Sequence, residues 1–287
     1  LILLGEDHAA DNPRKAILLA DMVLSAARRP SDFTRYRLHA FELVHSAAQA
    51  MLDEWLYSPD HERALLPTWK DDRSQGAFRA YERFFRALKR DSVRRTCVLG
   101  LDEDPNKSKQ QIRDVRKQGS VSSFRQVLDE RDRMLSAEFA KTVNRHNGNV
   151  ILRHPTWRLP MPVDFYRVRP NLGSCLVGVF HAQRMRGAEV LKGSTFAEQM
   201  DRQIDLHSVL LVTANLSDRV RDFSGNEEFA LRDAFEGIRS TYVPLDRNGT
   251  WGGLARATVR LDNGEEIVFR NSLAEMFDAV VWLSGDQ

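Results

Sequence analysis

The chain has 287 residues, of which 42% are hydrophobic and 29% charged, and its formal net charge is +2. This composition predicts a soluble globular protein with a sizeable core. Because both charge signs are mixed along the chain, nothing indicates a nucleic-acid partner. No apolar run reaches the roughly 18 residues that a membrane span needs, and no signal peptide is recognisable.

The first half of the chain predicts strands that alternate with helices. Asn12 caps the first helix and Pro13 occupies its first position. The predicted strands are "LILLGEDH" (1–8), "YRLHAFEL" (36–43) and "RRTCVLGLDEDP" (94–105). The predicted helices are "RKAILLADMVLSAARR" (14–29), "HSAAQAMLDEWLY" (45–57), "GAFRAYERFFRALKR" (76–90) and a long helix over 120–148 that ends at Gly148.

The second half adds three more buried strands and one hairpin. The four prolines of 154–173 predict a loop or insert after a short strand, "NVILR". The strands are "GSCLVGVFH" (173–181), "HSVLLVTA" (207–214) and "MFDAVVWL" (276–283), with a helix "TFAEQMDRQI" (195–204) between the first two. Alternation around Asp262-Asn263-Gly264 predicts a hairpin over 255–270.

This order of elements predicts an α/β fold. We expect a mainly parallel central sheet flanked by helices, with a C-terminal antiparallel hairpin addition. Residues 1–287 would form a single domain, excised from a longer chain because the sequence opens without Met inside a strand. The location would then be the bacterial cytoplasm, or outside the cell as part of a larger protein. The oligomeric state is left open.

Polar residues follow four of the predicted strands. Glu6-Asp7-His8 end the first strand, Glu42 and His45 the second, Asp102 the third, and His181 the fourth clear one. Ligands of open α/β sheets bind at the carboxyl ends of strands. If these strands are neighbours, their side chains converge on one crevice, which suits a general acid, a general base or a divalent metal.

Each of these residues also has an ordinary structural interpretation. Glu42 could face water from an edge strand, His45 could begin a helix, and Arg131-Asp132 could form a surface ion pair. His154 in "VILRHP" rivals His181, since it too ends an apolar run.

The two cysteines, Cys97 and Cys175, lie in apolar runs and are interpreted as buried thiols. Cys175 as a nucleophile is the alternative, although nothing adjacent would lower its pKa. The chain has no phosphate-binding loop, no dinucleotide-binding glycine motif, no His-Glu-x-x-His and no Gly-x-Ser-x-Gly elbow.

An ordered set of motifs resembles the superfamily that joins erythromycin esterases, the haem-binding lipoprotein ChaN and the Tiki/TraB/PrgY proteins. The matching stretches are "LLGEDHAADNPRK", "AFELVHS", "VLGLDED", "ERDRMLSAEF", "VGVFHAQRMRG" and "MFDAVVWL". The set spans nearly the whole chain. One residue separates Glu6 from His8, whereas esterases of this superfamily usually have two.

The resemblance implies a role for each matching position. His8 would activate water or bind a metal, and Glu6 would orient His8. Glu42 would be the second carboxylate, and His181 would complete the site. The supporting polar residues would be Asp102, Arg131, Asp132, Gln183 and Arg184. His8, His181 and Glu42 would be the ligands if a divalent metal is used.

The function expected from these residues is a hydrolase that acts on an ester or amide bond. Its partner would be a small-molecule or peptide substrate. The resemblance to ChaN makes a haem-binding or other ligand-binding module the alternative. A further alternative is a non-catalytic domain of a larger toxin or effector.

Overall fold

A computed structural model describes most of the chain. The described residues are 1–7, 12–27, 37–57, 76, 79–92, 96–102, 110–111, 113–115, 119–146, 149–152, 173–214, 219–221, 228–239, 241–256, 259–261 and 263–284. His8, His154 and nearly all of the predicted insert over 154–173 lie outside them. Within this part of the chain, no helix is long and apolar enough to cross a membrane.

Strands and helices alternate as predicted. The strands are β1 (Ile2–Glu6), β2 (Arg37–His45), β3 (Thr96–Asp102), β4 (Val143–His146), β5 (Asn149–Leu152), β6 (Ser174–Gly178), β7 (His207–Thr213), β8 (Arg219–Arg221), β9 (Glu228–Ala230), β10 (Thr241–Pro244), β11 (Ala255–Arg256), β12 (Val259–Arg260), β13 (Glu266–Ile267) and β14 (Ala279–Leu283). The α-helices are α1 (Asn12–Ala27), α2 (Gln49–Tyr57), α3 (Glu82–Ser92), α4 (Val121–Thr142), α5 (Val179–Ala182), α6 (Phe196–Asp201) and α7 (Leu273–Met276).

Seven of the described strands form the central sheet, in the order β10-β14-β7-β1-β6-β2-β3. Every pairing is parallel except β10 with β14. The predicted α/β fold with a mainly parallel sheet is therefore confirmed. A parallel sheet is covered on both faces, which explains why its strands read as continuous apolar runs rather than alternating ones.

Adjacent residues of β1 pack into hydrophobic cores on opposite faces of the sheet. Leu3 packs with α4, α5 and α6 on one face of the sheet, together with the 3-10 helix Leu231–Phe235. Leu4 packs with α1, α2 and α3 on the opposite face. We call these the α4 face and the α1 face. A side chain that leaves the sheet can therefore be assigned to a face by the helix it contacts.

Three predicted features differ from what the structure shows. The long helix α4 ends at Thr142, and the β4–β5 hairpin occupies the residues that follow it. The predicted C-terminal hairpin exists as β12–β13, with Gly264 at φ 87°, but it forms a separate two-stranded sheet. The antiparallel strand of the central sheet is β10 instead. His181 lies in α5, after the strand has already ended at Gly178.

Gly5 makes room for the segment that carries His181. A Cβ atom at Gly5 would lie 2.6 Å from the Cβ of Ala182, which is closer than two carbon atoms can pack. The first residue of the "GEDH" motif is therefore needed for α5 to cross β1.

We expect Gly5→Ala to lower the free energy of unfolding by about 1–3 kcal/mol, because the added methyl group overpacks this contact. Urea unfolding measures the change. The matched control is Gly253→Ala, where the nearest heavy atom to the new Cβ lies 3.7 Å away. Equal shifts of the unfolding midpoint in the two variants would contradict this account of Gly5.

Candidate active site

The four strands with polar carboxyl ends are neighbours in the sheet. The order β1-β6-β2-β3 places the ends of these strands side by side at one edge. Glu6 pairs with Gly178, and His45 pairs with Asp102. The predicted convergence of strand ends is thus present in the topology.

Glu42 is held from two sides. Its Oε1 accepts a hydrogen bond from Nη2 of Arg131, and its Oε2 accepts one from the backbone N–H of Gly178 at 2.6 Å. Glu42 follows Leu38 and Ala40 at alternate positions of β2, and both of these residues pack into the core of the α4 face. Glu42 is only 2% exposed and β2 lies inside the sheet, so the edge-strand alternative is wrong.

Arg131 links Glu42 to a second carboxylate. Its Nη2 also lies 3.2 Å from Oδ2 of Asp102 on β3. Burial lowers the pKa of Arg131, but the carboxylates of Glu42 and Asp102 raise that pKa by more, so its pKa lies above its usual value. The guanidinium is therefore a permanent cation. Arg131 is 3% exposed, so the alternative that it forms a surface ion pair is wrong.

His181 is oriented by a carboxylate of α4. Its Nδ1 lies 2.7 Å from Oδ1 of Asp132, which is fully buried. The other oxygen of Asp132, Oδ2, accepts a hydrogen bond from Nη2 of Arg186. Nη1 of Arg186 donates to the carbonyl of Phe180 at 3.1 Å. Arg186 therefore fastens both Asp132 and the backbone beside His181.

The second ring nitrogen of His181 faces Glu42. Its Nε2 lies 3.7 Å from Oε1 of Glu42, which is too long for a direct hydrogen bond. The structure thus brings four predicted residues on the α4 face to Glu42: Asp102, Arg131, Asp132 and His181. We call this group, with Glu42 and Arg186, the Glu42–His181 network.

Glu6 belongs to a different buried cluster. Its Oε2 lies 2.5 Å from Nζ of Lys15 and accepts a hydrogen bond from the hydroxyl of Tyr81. Lys15 also donates to the backbone carbonyl of Asp7. Lys15 comes from α1 and Tyr81 precedes α3, so this cluster lies on the α1 face. The sheet separates the described contacts of Glu6 from those of Glu42.

Two other predicted supporting residues lie apart from the network. Arg184 pairs with Asp278 at 2.7 Å and donates to the carbonyl of Leu206, near the amino end of β7. The side chain of Gln183 is fully buried, and neither its oxygen nor its nitrogen has a hydrogen-bond partner among the described residues. His45 accepts a hydrogen bond from the N–H of Ala47 and begins the 3-10 helix there, as its ordinary interpretation has it.

Cys175 lies on β6, in the core of the α4 face, and is fully buried. Burial, and then the negative charge of Glu42, raise the pKa of its thiol well above the usual value. Because the thiolate is the nucleophilic form, these surroundings favour the interpretation of Cys175 as a core thiol.

The predicted metal ligands Glu42 and His181 lie near each other in the structure. Within the described residues, no group of three His, Cys, Asp or Glu side chains could hold an ion. Arg131 already supplies a positive charge beside Glu42, and Nδ1 of His181 is engaged by Asp132. The predicted ligand set also needs His8, which lies outside the described residues, so that set and the haem alternative stay predictions.

No family model matches this sequence, and no curated protein does either. A mutant of the erythromycin esterase EreC in its open conformation superposes with a TM-score of 0.51. The two chains are 10% identical, and the match covers 98% of this chain and 90% of that one. The chain has an erythromycin esterase-like fold. The predicted resemblance is therefore confirmed at the level of the fold.

Two further solved structures match over most of this chain. A Bacillus cereus protein is 13% identical with a TM-score of 0.46, and the match covers 99% of this chain and 88% of that one. A succinoglycan biosynthesis protein is 12% identical with a TM-score of 0.44, with 99% and 87% covered.

Three buried polar residues of the two clusters are not among the predicted site residues. Lys15 lies four residues before Leu19 on the apolar stripe of α1, and a lysine at such a position is the signal that could have identified it. Tyr81 lies within the predicted helix over 76–90, where its pattern does not indicate that its hydroxyl donates to Glu6. Arg186 follows α5 in an irregular segment, where no periodicity marks a buried residue.

We expect Arg131→Gln to lower the free energy of unfolding by about 3–5 kcal/mol, because it leaves two buried carboxylates without their cation. The matched control is Arg125→Gln on the same helix. Arg125 is 47% exposed and lies 3.5 Å from Asp129, and such pairs contribute about 1 kcal/mol or less. Urea unfolding compares them, and equal losses would show that Arg131 is not a buried structural charge.

Tyr81→Phe tests the cluster around Glu6. Burial, and then the charge of Glu6, raise the pKa of Tyr81 well above 10. A group with a raised pKa stabilises the fold fully below its unfolded pKa of about 10, and the contribution is lost as pH rises through the folded pKa. The stability difference between wild type and Tyr81→Phe should therefore be constant from pH 7 to 9 and shrink above pH 10. Chemical unfolding at each pH measures it, and a difference that grows above pH 10 would contradict the assignment.

Proposed function

We propose that this chain is a hydrolase that activates water between His181 and Glu42. The observation that carries the proposal is the buried Glu42–His181 network at the carboxyl edge of the sheet. A histidine with one nitrogen bound to a buried carboxylate and the other not directly hydrogen-bonded to the facing carboxylate is the arrangement of a general base.

Asp132 determines which nitrogen of His181 reacts. Because Asp132 accepts a hydrogen bond, it keeps the proton on Nδ1 and leaves Nε2 as the basic atom. A water molecule about 2.9 Å from both Nε2 and Oε1 of Glu42 would lie to one side of these two atoms, which are 3.7 Å apart. Nε2 then takes a proton of this water while the water oxygen attacks the carbonyl carbon. The tetrahedral intermediate expels the alcohol, whose oxygen takes the proton back from Nε2, and the acid is released.

Glu42 and Arg131 have separate tasks in this proposal. Glu42 remains a carboxylate, because Arg131 and the N–H of Gly178 stabilise its charged form, and it orients the attacking water. Arg131 is a positioning residue, since Nη2 is already engaged by Glu42 and Asp102.

Glu6 lies on the α1 face, and His8 follows it by two positions in the sequence. Lys15 binds the carboxylate of Glu6 and the carbonyl of Asp7, so it holds the end of β1 and the residue after it. Glu6 is then a positioning residue for the end of β1. His8 is the proposed second histidine, because β1 adjoins β6 and their carboxyl ends meet at one edge.

The proposed bond class is an ester, with an amide as the second candidate. EreC is named as an erythromycin esterase, and its likeness to this chain supports an ester as the first substrate to test. A p-nitrophenyl ester of a short acid is a suitable probe, because its hydrolysis needs no knowledge of the natural substrate.

We expect His181→Ala to reduce kcat for p-nitrophenyl acetate by about 10²–10⁴-fold, which is the usual contribution of a general base. Asp132→Asn should lower kcat with little change in KM, because it favours the wrong tautomer of His181. The matched control is His207→Ala, a histidine that is hydrogen-bonded to the exposed Tyr242. Initial rates are compared after circular dichroism has verified folding, and full activity of folded His181→Ala would refute the mechanism.

A further inference from the structure

A cavity of about 830 Å³ opens at the carboxyl edge of the sheet, beyond the ends of β7 and β14. Ala214 follows β7 and Ser284 follows β14, and both line it. The residues that matter to its chemistry are Arg232, Asp233, Phe235, Glu236, Arg239 and Trp282. We call it the β7–β14 cavity. Its volume is in the range of ligand sites.

The cavity lies at the same edge and on the same face of the sheet as the Glu42–His181 network. Phe235 and Trp282, which form part of its wall, belong to the same core as Leu135 of α4 and Ala182 beside His181. In the strand order, β7 is three strands away from β2. At about 4.8 Å between strands, the two sites are separated by about 14 Å along the edge.

The wall of the cavity is preformed. The rings of Phe235 and Trp282 stack at 5.3 Å between centroids with an interplanar angle of 12°. The indole N–H of Trp282 donates to the carbonyl of Ile238 at 2.8 Å. Stacking and this hydrogen bond hold the segment 235–238 against the end of β14, so a ligand would meet a shaped surface.

Charged groups of both signs line the cavity in equal number. Arg232 lies 3.5 Å from Asp233, and both side chains are about half exposed. The side chains of Glu236 and Arg239 are exposed and make no ion pair with any described residue. The cavity therefore offers hydrogen-bond donors and acceptors but no net charge.

A neutral group with many hydroxyls matches this lining, because each hydroxyl both donates and accepts. A single anion would be attracted by the two arginines and repelled by the two carboxylates, and for a single cation the signs are reversed. One way to bind a peptide is to pair it with a sheet edge, and this mode is closed at the cavity because β7 and β14 are both paired on each side.

We propose that the β7–β14 cavity is a subsite for a neutral, hydroxyl-rich group such as a saccharide unit. The proposal rests on the proposed function in one respect: the group is carried by an elongated substrate whose scissile bond lies at His181. Binding energy from such a remote group orients the reacting bond.

The test is direct binding to the intact chain. Cellobiose, maltose and lactose are titrated by calorimetry, with glucuronate, glucosamine and dialanine as the anionic, cationic and zwitterionic comparisons. We expect at least one neutral disaccharide to bind in the millimolar range and to move the indole N–H resonance of Trp282, assigned with Trp282→Phe. Glu236→Ala and Arg239→Ala should each weaken this binding about tenfold or more.

The matched control is Arg202→Ala, an exposed arginine paired with Glu198 outside the cavity, which should leave binding unchanged. The subsite is refuted if no neutral disaccharide binds, if the cavity variants bind as wild type does, or if a charged or zwitterionic probe binds in preference. His181→Ala separates the two proposals. This variant should bind the disaccharide normally but lose ester hydrolysis. If hydrolysis is lost and no disaccharide binds, only the subsite is refuted. If the disaccharide binds and the variant keeps full hydrolysis, only the mechanism is refuted.

Discussion

The contact between Glu42 and Arg131 is the constraint around which the rest of the candidate site is arranged. Two buried charges from distant parts of the chain meet at the carboxyl edge of the sheet. Leaving either one without the other would be costly in a low-dielectric interior. The pair therefore fixes the position of α4 against β2, and Asp102 on β3 adds a third attachment.

Once α4 is fixed, Asp132 follows directly. It is the next residue after Arg131, and it reaches the short helix α5 that carries His181. Gly5 allows α5 to cross close to β1, and Arg186 ties the start of α5 back to Asp132. His181 is thus placed by a glycine, a carboxylate and an arginine that come from three separate segments.

The two faces of the sheet divide the polar residues between two clusters. Glu6, Lys15 and Tyr81 form a compact group on the α1 face, while Glu42 and its partners occupy the α4 face. Sequence reasoning grouped Glu6 with Glu42 because both end strands. In the structure Glu6 instead contacts a lysine and a tyrosine on the α1 face.

Apolar patterns in consecutive residues predict the α/β class and the six parallel strands of the central sheet, and the polar residues that follow four of these strands predict a shared edge. These patterns are local, so the sequence carries them without the fold. They do not predict the antiparallel strand β10, the helical turn at His181, or the partners Lys15, Tyr81 and Arg186. Those features depend on which segments pack together in the tertiary structure, because buried charges are paired with residues that are distant in the sequence.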